Sequence, residues 1–98
     1  MSAFQDLING STPVLIDFFA DWCSPCHSMN PVIKEIKSNY GEKLKVIKID
    51  IDKNINVAEQ FQVKGVPTFI VYKKGEIVWR QSGVIEKSKF ISKIDSII

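Results

Sequence analysis

Both cysteines of this 98-residue chain fall in one short stretch, Trp22-Cys23-Ser24-Pro25-Cys26. Two intervening residues let one helical turn hold the sulfurs within bonding distance. A Cys-x-x-Cys pair at a strand-to-helix junction is the arrangement of a reversible, chemically active disulfide. So short a loop constrains the unfolded chain only weakly, which argues against a structural staple. With His27 the same residues also spell Cys-x-x-Cys-His, a signature for covalent haem attachment. Haem of that kind usually takes a second axial ligand, yet His27 is the only histidine and no methionine follows Met29. A structural zinc site needs four ligands, and only Cys23, Cys26 and His27 cluster in the sequence. A second candidate is Asp17, a lone carboxylate within Val14-Leu15-Ile16-Asp17-Phe18-Phe19. A central strand would bury it, and desolvation would raise its pKa; the alternative is a surface aspartate at a bulge.

These groups need elements to position them. Phe4, Leu7 and Ile8 have helical spacing after Ser2, and Asn9-Gly10-Ser11 ends that short helix. Pro13 opens a strand, Val14 to Phe19, apolar on both faces as a strand covered by helices should be. From Ser24 to Tyr40, the positions Met29, Val32, Ile33, Ile36 and Tyr40 share one helical stripe, with a kink expected at Pro31 and a stop at Gly41. Cys23 therefore sits where the helix begins, near unpaired N–H groups and the positive end of the macrodipole, which favours thiolate over thiol. Leu44 to Ile51 reads as a second buried strand, joined to the first by a crossover through the long helix. Asn54 to Phe61 reads as a short helix, and Thr68 to Tyr72 and Ile77 to Gln81 as strands joined by a hairpin at Lys73-Lys74-Gly75-Glu76. A last amphipathic helix turns Phe90, Ile91, Ile94, Ile97 and Ile98 inward. The order is αβαβαββα, an α/β sandwich with a mixed sheet, and the absence of linkers or repeats implies one domain over residues 1–98.

Composition narrows the class. The chain is 45% apolar and 24% charged, ordinary for a globular protein, with a formal net charge of +2. Its basic residues are dispersed, and the pair Lys73-Lys74 reads as a turn, so nucleic acid is not an expected partner. No secretion signal or membrane-length apolar run is evident, which implies a cytoplasmic protein with no membrane association. In a reducing compartment a Cys-x-x-Cys is more often catalytic or metal-binding than structural.

Asp17-Phe18-Phe19-Ala20-Asp21-Trp22-Cys23-Ser24-Pro25-Cys26, then Pro31, Lys48-Ile49-Asp50, Gly65-Val66-Pro67-Thr68 and Gly83 resemble the thioredoxin family in identity, order and spacing. The likeness runs from Phe4 onward, and a Trp-Cys-x-Pro-Cys joined to a downstream Val-Pro-Thr is a specific combination. It implies a thioredoxin fold: a mixed four-stranded sheet flanked by helices on both faces, the family's N-terminal edge strand having no counterpart here. Ser24, His27 and Phe19 stand where the family commonly has glycine, a basic residue and tryptophan. These departures bear on redox potential and partner preference.

The resemblance implies a thiol–disulfide oxidoreductase that reduces protein disulfides as a monomer. Cys23 would attack the substrate disulfide and Cys26, less exposed, would resolve the mixed disulfide. Asp17 would be the buried acid moving protons to and from Cys26, with Lys48 moderating it or standing as a solvated strand lysine. Pro67 would be a cis-proline facing the disulfide, leaving the Val66 backbone to pair with an extended substrate segment. Trp22, Pro67 and Gly83 would rim a shallow apolar groove. Pro25 would hold the helix start, Ser24 would cap it or donate to the thiolate, and His27 would be a solvent-facing tuning residue. No cofactor is expected to be bound; the Cys23–Cys26 disulfide would be reduced by a separate NADPH-dependent flavoenzyme, the family's thioredoxin reductase. Two rivals are weighed. A disulfide oxidase or isomerase of the same fold often carries histidine between the cysteines, absent here. A redox-silent binding module would not need both cysteines and Asp17.

Overall fold

In the computed structural model, which describes Asp6 and residues 8–98, the chain folds as three layers around a mixed sheet. The elements are β1 (Val14–Phe19), α1 (Ser24–Tyr40), a 3-10 turn (Gly41–Lys43), β2 (Lys45–Asp50), α2 (Ile55–Gln60), β3 (Thr68–Lys73), β4 (Glu76–Ser82) and α3 (Lys87–Ile97). Most of the expected first helix lies outside the described residues; Asp6, Ile8 and Asn9 are helical.

The sheet order is β2-β1-β3-β4. β1 pairs parallel with β2, placing Asp17 opposite Lys48, and antiparallel with β3, placing Asp17 opposite Phe69. β3 and β4 form the antiparallel hairpin, irregular between Val71 and Tyr72. Alternation along β1 divides its side chains between two cores. Leu15 packs with Met29, Ile33 and Ile36 of α1 and with Phe90 and Ile94 of α3. Val14, Ile16 and Phe18 pack on the opposite face with Ile8, Ile49, Phe61 and Val57 of α2. Helices thus cover both faces, as the apolar run of β1 requires.

Three expectations are corrected. β2 is an edge strand that is buried only in part: Ile49 and Asp50 are buried, but Lys45 and Lys48 are exposed and Val46 and Ile47 half-buried, because only β1 flanks it among the described residues. Ile98 is 42% exposed, since it follows the last turn of α3 and the inner stripe stops at Ile97. Ser24 is not the helix cap; that position belongs to Cys23. α1 runs through Pro31 without interruption, and the Gly41 N–H closes it on the Lys37 carbonyl.

The β3–β4 turn shows why local chemistry sets register. Lys74 and Gly75 have φ of 53° and 79°, the double left-handed conformation that matches a two-residue hairpin to strand twist. A Cβ on Gly75 would also come within 3.2 Å of Asn9 Oδ1.

Candidate active site

The loop from Ala20 to Cys23 delivers the two cysteines to the first turn of α1. The Cys23 N–H donates to the Ala20 carbonyl, and the His27 N–H donates to the Cys23 carbonyl. Cys23 is the N-cap in extended backbone conformation, and Pro25 occupies the first turn, where its missing N–H would be unpaired anyway. Cys23 and Cys26 form a disulfide with Cα atoms 5.3 Å apart. Cys23 Sγ accepts from the Cys26 backbone N–H at 3.2 Å. The helix thus directs both a specific donor and its positive end at Cys23, the combination that favours a thiolate there on reduction.

The expected difference in exposure between the cysteines is absent from this oxidised state. Cys23 is 3% and Cys26 4% exposed, both packed with Ala20 and flanked by Phe19, Ile51 and Val66. What separates the two sulfurs is hydrogen bonding: Cys23 Sγ receives the first-turn N–H.

Asp17 is 2% exposed on the face of β1 covered by α1, which excludes the surface-bulge alternative. Burial pushes its pKa up to about 6, and the positive charge of Lys48 pulls against that rise. Lys48 is exposed, yet its ammonium group is held. It donates to Asn30 Oδ1 at 2.7 Å and lies 4.8 Å from the Phe19 ring centroid. The phenylalanine that replaces the more usual tryptophan thus supplies one wall for this cation.

The Val66–Pro67 peptide bond is cis. Pro67 is buried and Val66 half-buried against the cysteine cluster. Two bonds tie this loop down: Thr68 Oγ1 donates to the Gly65 carbonyl at 2.7 Å, and the Gly83 N–H donates to the Pro67 carbonyl at 2.8 Å. Gly83, half-buried at the end of β4, is therefore part of the same corner. Trp22 is 69% exposed, and Val84, beside Gly83, is 57% exposed.

Sequence reasoning missed three partners. Trp22 Nε1 donates to Asp52 Oδ2 at 2.9 Å, and the Asp50 carboxylate accepts the Asp52 N–H at 2.9 Å. The Asp50-Ile51-Asp52 spacing after an apolar strand was the available signal, since Asx residues there accept N–H groups of the following turn. His27 is solvent-exposed, as expected, but its Nε2–H donates back to the Asp21 carbonyl at 2.8 Å and braces the loop before Cys23. Ser24 donates to neither sulfur; its carbonyl accepts the Ser28 hydroxyl. Among the described residues no three His, Cys, Asp or Glu side chains converge as a metal-ligand set, and no helix is long and apolar enough to cross a membrane.

Comparisons with known proteins point the same way. Residues 1–96 match the family model described as Thioredoxin. The chain is 38% identical over 96 residues to "Thioredoxin Y, chloroplastic" of Oryza sativa subsp. japonica, covering 97% of this chain and 57% of that protein. It is 36% identical over 91 residues to a thioredoxin of Acidithiobacillus ferridurans, covering 93% of this chain and 84% of the bacterial protein. The structure resembles oxidised mitochondrial thioredoxin 3 of Saccharomyces cerevisiae with a TM-score of 0.86 at 28% identity, over 95% of this chain and 86% of that one.

Proposed function

Because this chain belongs to the thioredoxin family and is a thiol–disulfide oxidoreductase, we propose that residues 1–98 work as one domain that reduces disulfides in protein substrates. Cys23 is the attacking group. Its thiolate attacks one substrate sulfur, the Cys23–substrate disulfide forms and the other substrate sulfur leaves as a thiolate. Cys26 then attacks Cys23 Sγ, restoring the Cys23–Cys26 disulfide and releasing the second substrate thiolate. Two electrons pass to the substrate, and the released thiolates take up two protons. Asp17 accepts the Cys26 proton, a task suited to a carboxyl whose pKa burial has raised to about 6. Lys48 tempers Asp17. Trp22, Val66, Pro67 and Gly83 receive an extended substrate segment, with Val84 a further apolar contact. Pro25 and His27 hold the loop that presents Cys23.

No cofactor is needed for this exchange. The disulfide is returned to the dithiol by a separate reductase, for which the family's NADPH-dependent flavoenzyme is our candidate. A reducing compartment such as the cytoplasm suits that cycle.

The observation that carries the proposal is Cys23 Sγ at the start of α1, accepting the Cys26 N–H. Insulin reduction with dithiothreitol as electron donor tests it. Cys23→Ser should lose activity to background, whereas reduced Cys26→Ser, mixed with a disulfide substrate after dithiothreitol has been removed, should accumulate mixed disulfides that added thiol reductant releases. Activity retained by Cys23→Ser, or no trapped adduct with Cys26→Ser, would sink the assignment of roles.

A further inference from the structure

We propose that the outer edge of β2 receives an extended, acidic segment of a partner protein, which adds as a strand and sets its carboxylates against Lys34, Lys37 and Lys48. The backbone supplies half of the case. The Lys45 N–H donates to the Pro13 carbonyl and the Ile51 N–H to the Phe19 carbonyl, both toward β1. Alternation then turns Ile47 and Ile49 toward β1 as well, and Val46, Lys48 and the Asp50 N–H outward. Among the described residues no strand lies beyond β2. The N–H and C=O groups of Val46 and Lys48 are therefore spaced for a new strand.

The side chains supply the other half. A groove of about 310 Å3 runs between this edge and α1, lined by Asn30, Ile33, Lys34, Lys37, Val46 and Lys48. Its floor is apolar and its charge has one sign: three lysines and no acid. Among the described residues none of these lysines meets a carboxylate in an ion pair; the ion pair present joins Lys87 to Glu35. Lys34 and Lys37 stand one turn apart with like charge, which costs the helix slightly. Lys37 gains from its place in the last turn, but Lys34 has no such compensation. An alternating segment fits both halves, its carboxylates over the lysines and its apolar residues beside Ile47.

The same lysines select the occupant. Two copies of β2 meeting edge to edge would bring the Lys34, Lys37 and Lys48 clusters of both copies to one seam, where like charge opposes self-pairing. Nucleic acid would satisfy the charge but not the alternating backbone donors and acceptors. An acidic strand satisfies both.

The test uses the full oxidised chain, 15N-labelled, and the peptide Ac-Glu-Val-Glu-Val-Glu-Val-Glu-NH2, which has no cysteine and cannot act as a substrate. The expected result is saturable binding that slows hydrogen exchange at the Val46 and Lys48 amides. Lys34→Glu with Lys37→Glu should weaken it about tenfold or more, as should high salt. Lys34→Gln with Lys37→Gln serves if the charge-reversed protein does not fold. Absence of binding, or binding that leaves those two amides unprotected, would overturn the proposal. So would protection without peptide: if it grows with protein concentration the occupant is a second copy, and if it does not the chain covers its own edge.

Discussion

Asp17 makes a quantitative claim about pH. Its carboxyl holds its proton more tightly in the folded chain, near pH 6, than in the unfolded chain, near 3.8. Below about pH 3.8 both states are protonated and Asp17 is neutral in the balance. As pH rises through the window from 3.8 to 6, the unfolded state ionises first and folding stability falls. Above pH 6 the native state carries the whole cost of a buried carboxylate, about 3 kcal/mol for two pKa units. Asp17→Asn should therefore stabilise the oxidised protein by up to about 3 kcal/mol at pH 7.5 and by almost nothing at pH 3.5, read by urea unfolding. A gain that does not change with pH would show that ionisation is not the cause. The same variant should slow insulin reduction about tenfold or more, because Cys26 loses its proton acceptor. The reactive residues were legible because each breaks a local rule: two cysteines in one turn, an acid in an apolar strand, a proline after a glycine-valine pair. Their side-chain partners were not. Nothing local says that the Trp22 indole finds Asp52, thirty positions on, or that His27 turns back to Asp21.

Elements were readable where hydrophobic period and turn chemistry agreed. β1, α1, β3, β4 and α3 lie close to their expected bounds, whereas β2 is an edge strand where its sequence predicts a buried one. Its Ile49 is core, but Val46 and Ile47, which look like core residues too, are only half-buried, because edge or centre is decided by which strand comes next in space, a property of the whole sheet. The core these elements share can be probed at Phe90. Its ring is fully buried, 4.9 Å from that of Phe69 and 5.4 Å from that of Trp79 between centroids. Phe90→Ala should cost about 3–5 kcal/mol, a large share of the stability of a small domain. Denaturant titration measures it; a loss below about 1 kcal/mol would mean that α3 is not fastened where the ring contacts place it. The hairpin offers a finer test. Gly75→Ala should cost about 1–2 kcal/mol for its left-handed backbone, plus the contact with Asn9 Oδ1. Removing that side chain with Asn9→Ala should restore only the contact part.

For the whole molecule, the balance to be struck is between groups that stabilise the reduced dithiol and groups that oppose it. The first turn of α1 and the Cys26 N–H favour a Cys23 thiolate, which stabilises the reduced form and raises the potential. The buried Asp17 carboxylate works the other way, since a second negative charge beneath α1 disfavours ionisation of Cys26. With only one thiolate favoured, the pair should be a net reductant, its potential at or below the cytosolic glutathione poise. Its pH dependence reads the same asymmetry. Each proton taken up with the two electrons contributes about 30 mV per pH unit, so the slope should be about 60 mV at acid pH. It should fall to about 30 mV once Cys23 remains a thiolate after reduction. Equilibration with glutathione and dithiothreitol buffers from pH 5 to 9 measures both value and slope. A potential well above the glutathione poise would mean that the helix start outweighs Asp17 and that the protein runs toward oxidation or isomerisation. A slope that stays near 60 mV through pH 8 would mean that neither cysteine is activated by its place at the start of α1.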